Sequence, residues 1–153
     1  MSIKKLVTLI ICALLINLAQ TATAQSPNKI FHGAEATLSN YKALYILNDG
    51  NEKKIRATFK NIKNVLEDTR LKGKLEIELI VFGDAVQVYA KDGPYAEIVE
   101  DLHLKGVILA QCENTIRERK INKTTLLSFI SYVPSAAGEI IIRQYQGWAI
   151  VHP

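Results

Sequence analysis

The chain has 153 residues and a formal net charge of +4. That length suits one domain, and the mild charge without a concentrated basic face argues against nucleic-acid binding. It holds two cysteines, Cys12 and Cys112, too few for a disulfide scaffold, and a chain of this size buries a core without one.

Met1-Ser-Ile-Lys4-Lys5 is a small basic head. Residues 6–19 form an apolar run broken only by Thr8 and Asn17, and Ala22-Thr23-Ala24 is a small-x-small cleavage signal. Residues 1–24 therefore read as a secretory signal peptide cut after Ala24. The run is shorter than the about 20 residues a membrane span needs, so no stable anchor is expected after cleavage. The mature protein is expected in the periplasm. Cleavage removes Lys4, Lys5 and Cys12. Cys112 is then alone, and a lone thiol is a buried inert group, a reactive group, or half of an intermolecular bond.

Residues 25–40 are polar and irregular, a flexible or edge-lying arm before a domain over 41–153. Residues 41–47 read as the first strand, ended by the turn Asn48-Asp49-Gly50-Asn51. A helix over 52–71, capped by Asn51, turns Ile55, Phe59, Ile62, Val65 (or Leu66) and Thr69 towards a sheet. A second strand over 75–82 delivers Gly83-Asp84, and residues 85–90 suit a short helix. The next helix starts after Gly93-Pro94, faces inward with Tyr95, Ile98, Val99 and Leu102, and ends near Lys105-Gly106. Residues 107–110 are a buried strand, followed from Glu113 by a short polar helix with Ile116 its only large apolar residue. A turn at Asn122 leads to a strand over 130–133. Ser135 caps a helix over 136–146 with Ile140, Ile141 and Tyr145 inward. Gly147 stops it, and 148–151 is a last strand. This alternation implies an α/β fold with a largely parallel five-stranded sheet covered on both faces.

In such a sheet the strand ends gather on one edge: Asn48-Asp49, Gly83-Asp84, Cys112-Glu113-Asn114 and Pro134-Ser135. For Asn48, Asp49, Asp84 and Ser135, helix capping competes with ligand binding as the reason they are there. Cys112 differs. It falls where strand gives way to helix and sits between Gln111 and Glu113, which argues for partial exposure and a thiol favoured as thiolate by the helix start. Glu113 opposes that activation if close, while Arg117 and Arg119 favour it. His32, His103 and His152 have no ligand spacing with the cysteine, so neither zinc nor another metal is expected. A distant Cys-His pair stays open. No phosphate loop or other cofactor motif is found, and Asn122-Lys-Thr124 matches a glycosylation acceptor.

Gly106-Val…Ala110-Gln-Cys112-Glu-Asn-Thr115, then Val133-Pro-Ser135…Gly138-Glu-Ile140…Arg143-Gln144…Gly147-Trp148-Ala149…Pro153, resembles the DsrE/DsrF-like family in its exported single-domain branch. Leu47-Asn48-Asp49-Gly50 and Val81-Phe-Gly83 fit as well. The resemblance implies a three-layer α/β/α sandwich of flavodoxin-like, DsrE-like kind and assembly into homo-oligomers, trimers or hexamers. It also implies a persulfide on a cysteine after the third strand, the position of Cys112, with partner proteins as sulfur donor and acceptor. The expected function is thus periplasmic sulfur handling or thiol redox chemistry. Cys112 would be the nucleophile or persulfide carrier, the Glu113 and Asn114 amides would stabilise its anion, and Asn48, Gly83 and Ser135 would line the crevice. The alternative is a non-catalytic oligomer that binds a small ligand or partner, with Cys112 a packing residue.

Overall fold

The computed structural model describes residues 30–153. The expected signal peptide and residues 25–29 of the arm lie outside the described residues. By internal contacts the chain forms two units, Met1–Ala34 and Glu35–Pro153. Every helix and strand among the described residues belongs to the second unit. The first residues of that unit carry no helix or strand, but the Leu38 amide donates to the Tyr41 hydroxyl at 2.9 Å. The Ala36 carbonyl accepts from Lys74 Nζ at 3.4 Å. Part of the arm is thereby tied to the domain.

Strand β1, Tyr41–Leu47, leads to helix α1, Glu52–Leu66, and then to β2, Leu75–Val81. A 3-10 helix, Gly83–Tyr89, precedes α2, Ala96–Leu104, and β3, Ile108–Cys112. Helix α3, Glu113–Glu118, follows without a break, then a 3-10 turn at Lys123–Thr125 and β4, Ser131–Val133. Helix α4, Ala136–Tyr145, returns the chain to β5, Ala149–Val151. The five strands lie in the order β4-β3-β2-β1-β5 and every pair is parallel. The expected architecture is present.

Successive side chains of a strand point to opposite faces, and the core divides accordingly. Tyr45, Leu47, Leu79, Val81 and Leu109 face one way, against Ile55, Phe59 and Ile62 of α1, Val99 and Leu102 of α2, and Ile116 of α3. Leu44, Ile80, Ala110 and Cys112 face the other way, against Ala136 of α4 and Trp148. The connections β1 to β2, β2 to β3 and β3 to β4 all step in one direction, so right-handed crossovers place α1, α2 and α3 on one face. The return from β4 to β5 runs the opposite way and places α4 alone on the other.

Several boundaries differ from the sequence reading. Helix α1 ends at Leu66 rather than 71, and Thr69 is exposed. The Asp68 carboxylate accepts the Arg70 amide at 3.0 Å and pairs with its guanidinium at 2.6 Å, a local turn that competes with helix. The short helix expected at 85–90 is a 3-10 helix that starts earlier, at Gly83, and ends at Tyr89. Helix α4 is rotated from expectation: Ile141 and Tyr145 are 57% and 91% exposed, not inward. The inward stripe is Ala136, Glu139, Ile140 and Arg143. Its cause lies on β2, where Glu78 is 1% exposed on the face that α4 covers. Arg143 meets that carboxylate at 2.7 Å and Glu139 at 2.8 Å, and stacks 4.4 Å from the Trp148 ring. A buried carboxylate without a cation costs several kcal/mol, so this pairing outweighs burial of two more apolar side chains.

Candidate functional site

The two faces meet in a switch of direction between β3 and β4. The chain leaves β3 towards α3 on one face and leaves the neighbouring β4 towards α4 on the other. Open parallel sheets form their crevice at such a point, beyond the strand carboxyl ends. Cys112 stands at it, pairing with Val133 of β4 as the last residue of β3 and serving as N-cap of α3.

Its side chain belongs to the α4 face of the sheet. The Ala136 amide, first in α4, donates to Cys112 Sγ at 3.3 Å. The nearby amides of Asn114 and Thr115 and the Thr115 hydroxyl also favour the charged form of the sulfur, although Cys112 makes no side-chain cap hydrogen bond to α3. Burial pushes the thiol up, since it disfavours charge. The four donors outweigh it, and the net result lies below the ordinary thiol range. The expected partial exposure is corrected: the residue is 4% exposed. It differs from an inert buried thiol in that polar donors, not only aliphatic groups, surround the sulfur.

A second layer holds those donors. Thr115 is 6% exposed, and its hydroxyl oxygen accepts the Gly83 amide at 3.1 Å. Gly83 has φ +59, and a Cβ there would come within 2.9 Å of the Asn48 carbonyl oxygen, so only glycine fits. The same carbonyl accepts the Asp84 amide at 3.2 Å. Ser135 accepts the Gly138 amide at 3.2 Å and so fixes the start of α4. The loops after β1, β2, β3 and β4 are thus linked at one end of the sheet.

Of the residues selected from sequence, Cys112 and Gly83 join this network directly and Asn48 joins through its carbonyl. Asn114 contributes its amide, while its side chain accepts from Arg117 at 2.8 Å. Glu113 does not serve through its amide. The helix geometry gives that role to Asn114 and Thr115, and the Glu113 carboxylate pairs with Lys123 at 2.5 Å. Ser135 acts as a helix cap. Asn51 caps α1 through the Lys53 and Lys54 amides, and Asp49 pairs with Lys54 at 2.6 Å. Asp84 pairs with Arg119 at 2.6 Å. The Arg117 and Arg119 side chains are engaged by Asn114 and Asp84 respectively.

Thr115 was not selected from the sequence. The available signal was its place three residues after the N-cap, where a capping partner normally sits. Among the described residues no three His, Cys, Asp or Glu side chains converge on a metal-sized site. His103 stacks on Phe129, centroids 4.4 Å apart. No helix among the described residues is long and apolar enough to cross a membrane.

No curated protein matches the chain. Among solved structures, a protein of unknown function from Methanobacterium thermoautotrophicum, MTH1491, is similar at 27% identity and a TM-score of 0.70. The match covers 74% of this chain and 100% of that one. The family model of the DsrE/DsrF-like family matches residues 31–153, a span that includes every strand among the described residues and the whole Cys112 network, and the chain belongs to that family.

Proposed function

We propose that the protein handles sulfur through Cys112 as part of a sulfur relay. Membership of the DsrE/DsrF-like family supports a relay-related role. The observation that carries the reading to one atom is the convergence of hydrogen-bond donors on Cys112 Sγ at the switch point. In loading, the Cys112 thiolate attacks the outer sulfur of a donor persulfide. The donor S–S bond breaks, its electron pair stays on the donor sulfur, and Cys112 holds a persulfide. In discharge, an acceptor thiolate attacks the outer sulfur and the electron pair returns to Sγ. Donors that stabilise the Cys112 anion make it the better leaving group in that second step.

The setting belongs to the same proposal. The basic head, apolar run and Ala22-Thr23-Ala24 support export to the periplasm. Exposed Ile141, Ile142 and Tyr145 on α4 support assembly of copies of this chain. Fractionation followed by N-terminal sequencing tests export, and a mature protein still carrying residues 1–24 would refute it.

The test of the chemistry is the intact mass of protein purified without reductant. An adduct of one sulfur atom, lost on reduction and absent in Cys112→Ser, is expected. Its absence even after treatment with inorganic polysulfide would overturn the relay. The burial of Cys112 favours a second reading, a binding protein in which the thiol only packs. That reading expects Cys112→Ser to keep full function, whereas the relay expects sulfur transfer to vanish with the assembly intact.

A further inference from the structure

We propose that the groove between α1 and α2 is a docking site for an acidic peptide segment of a partner protein, one that carries a large apolar side chain between its carboxylates. The proposal does not depend on the chemistry of Cys112, whose side chain lies on the other face of the sheet.

The two helices lie on the same sheet face and meet over Phe59 of α1 and Tyr95, the N-cap of α2. Those rings are buried, with centroids 5.9 Å apart, and make the floor. Ile98, half-buried on α2, forms a wall. The groove above them holds about 330 Å³, the small end of the about 300–1,000 Å³ that ligand sites occupy. That is room for an anchoring side chain rather than for a cofactor.

The rim is basic. Arg56, Lys60 and Lys63 line the groove from α1, at spacings of four and three that set them in one row. At about 1.5 Å of rise per residue the row spans about 10 Å. Like charges so spaced repel one another on a helix. Glu52 offsets Arg56 alone, at 2.8 Å. Neither Lys60 nor Lys63 has an ion-pair partner among the described residues. By contrast, Lys54, Lys105 and Lys123 each meet a carboxylate within the chain. From α2 the groove receives one carboxylate, that of Glu97. The charge left on Lys60 and Lys63 is complementary to carboxylates supplied from outside, and the aromatic floor to an apolar side chain between them. A row along a helix suits a peptide, whose side chains repeat along a chain. Two lysines are too sparse a field for nucleic acid.

The experiment pans a random peptide library displayed on phage against the purified protein, then measures the enriched peptides by fluorescence anisotropy. Enriched sequences are expected to carry acidic residues on both sides of an aromatic or aliphatic one, and their binding to weaken as salt rises. Lys60→Glu combined with Lys63→Glu, at two exposed positions, is expected to weaken binding at least about tenfold. The same change of charge at Lys72 and Lys91, exposed and outside the groove, is expected to leave it largely unchanged. Glu97→Lys is expected to tighten it. Urea unfolding checks that each variant is folded. Enrichment without acidic residues, an equal loss in the Lys72 and Lys91 pair, or undiminished binding after reversal at Lys60 and Lys63 would overturn the proposal. So would binding to phosphatidylserine vesicles that depends on Lys60 and Lys63 where no acidic peptide is enriched, since the row would then be a membrane contact.

Discussion

The amide of Ala136 points at Cys112 Sγ from 3.3 Å, which ties the first residue of α4 to the last residue of β3 across two loops that diverge to opposite faces of the sheet. The sulfur is therefore held by both helices that begin at the switch point, and its ionisation is coupled to the folded state.

That coupling has a sign. The Cys112 thiol is lowered in the fold, and an acid with a depressed folded pKa contributes stability above its unfolded value, about 8.5, and loses it as pH falls through the folded value. The stability of wild type relative to Cys112→Ser is expected to rise with pH between those two limits and to be flat outside them. Urea midpoints of both proteins across that range check it.

Gly83→Ala places a side chain on a backbone of φ +59 and a Cβ 2.9 Å from the Asn48 carbonyl oxygen. A cost of about 1–3 kcal/mol is expected from the strain alone. Urea unfolding of the variant beside wild type reads that cost.

Arg143→Met strips the cation from Glu78, whose carboxyl is raised above its ordinary value by burial, with Arg143 opposing that shift. Leaving a buried carboxylate unpaired is expected to cost about 3–5 kcal/mol near neutrality. A raised folded pKa gives stability that is present below the unfolded value, about 4.3, and lost as pH rises through the folded value. The deficit of the variant should therefore shrink on acidification. Replacing Glu78 by Gln in the same background should recover much of it, read by thermal unfolding at two pH values.

Ile142→Asp combined with Tyr145→Glu places charge on the exposed side of α4, where these residues are 53% and 91% exposed. Little change in the stability of a single copy is expected, since surface substitutions usually shift it by no more than about 0.5 kcal/mol. On the proposed assembly through this face, the mass in solution by light scattering is expected to fall to that of the single chain, and a wild type that is already a single chain would refute that assembly.

Much of the architecture was legible in residue order. The apolar runs of β1 and β2 and the 3.6-residue stripe of Ile55, Phe59 and Ile62 specify their own elements locally, and strict alternation of strand and helix implies a parallel sheet. Cys112 was legible too, as a polar-flanked thiol where strand changes to helix. The orientation of α4 was not. Periodicity says which residues share a face but not which face turns inward, and the deciding partner, Glu78, lies on a distant strand. Thr115 and the Ala136 amide escaped for a related reason. Their meaning depends on Gly83 and Cys112, residues 32 and 24 positions away.

The sequence by itself determined the elements, their order and the place of Cys112 where strand gives way to helix, because helix and strand periods and backbone preferences act over a few residues. Only the tertiary structure decided that this thiol is buried yet surrounded by donors. Burial and hydrogen bonding shift its ionisation in opposite directions, and their balance depends on amides that meet only when β3 and β4 pair and their loops part to opposite faces.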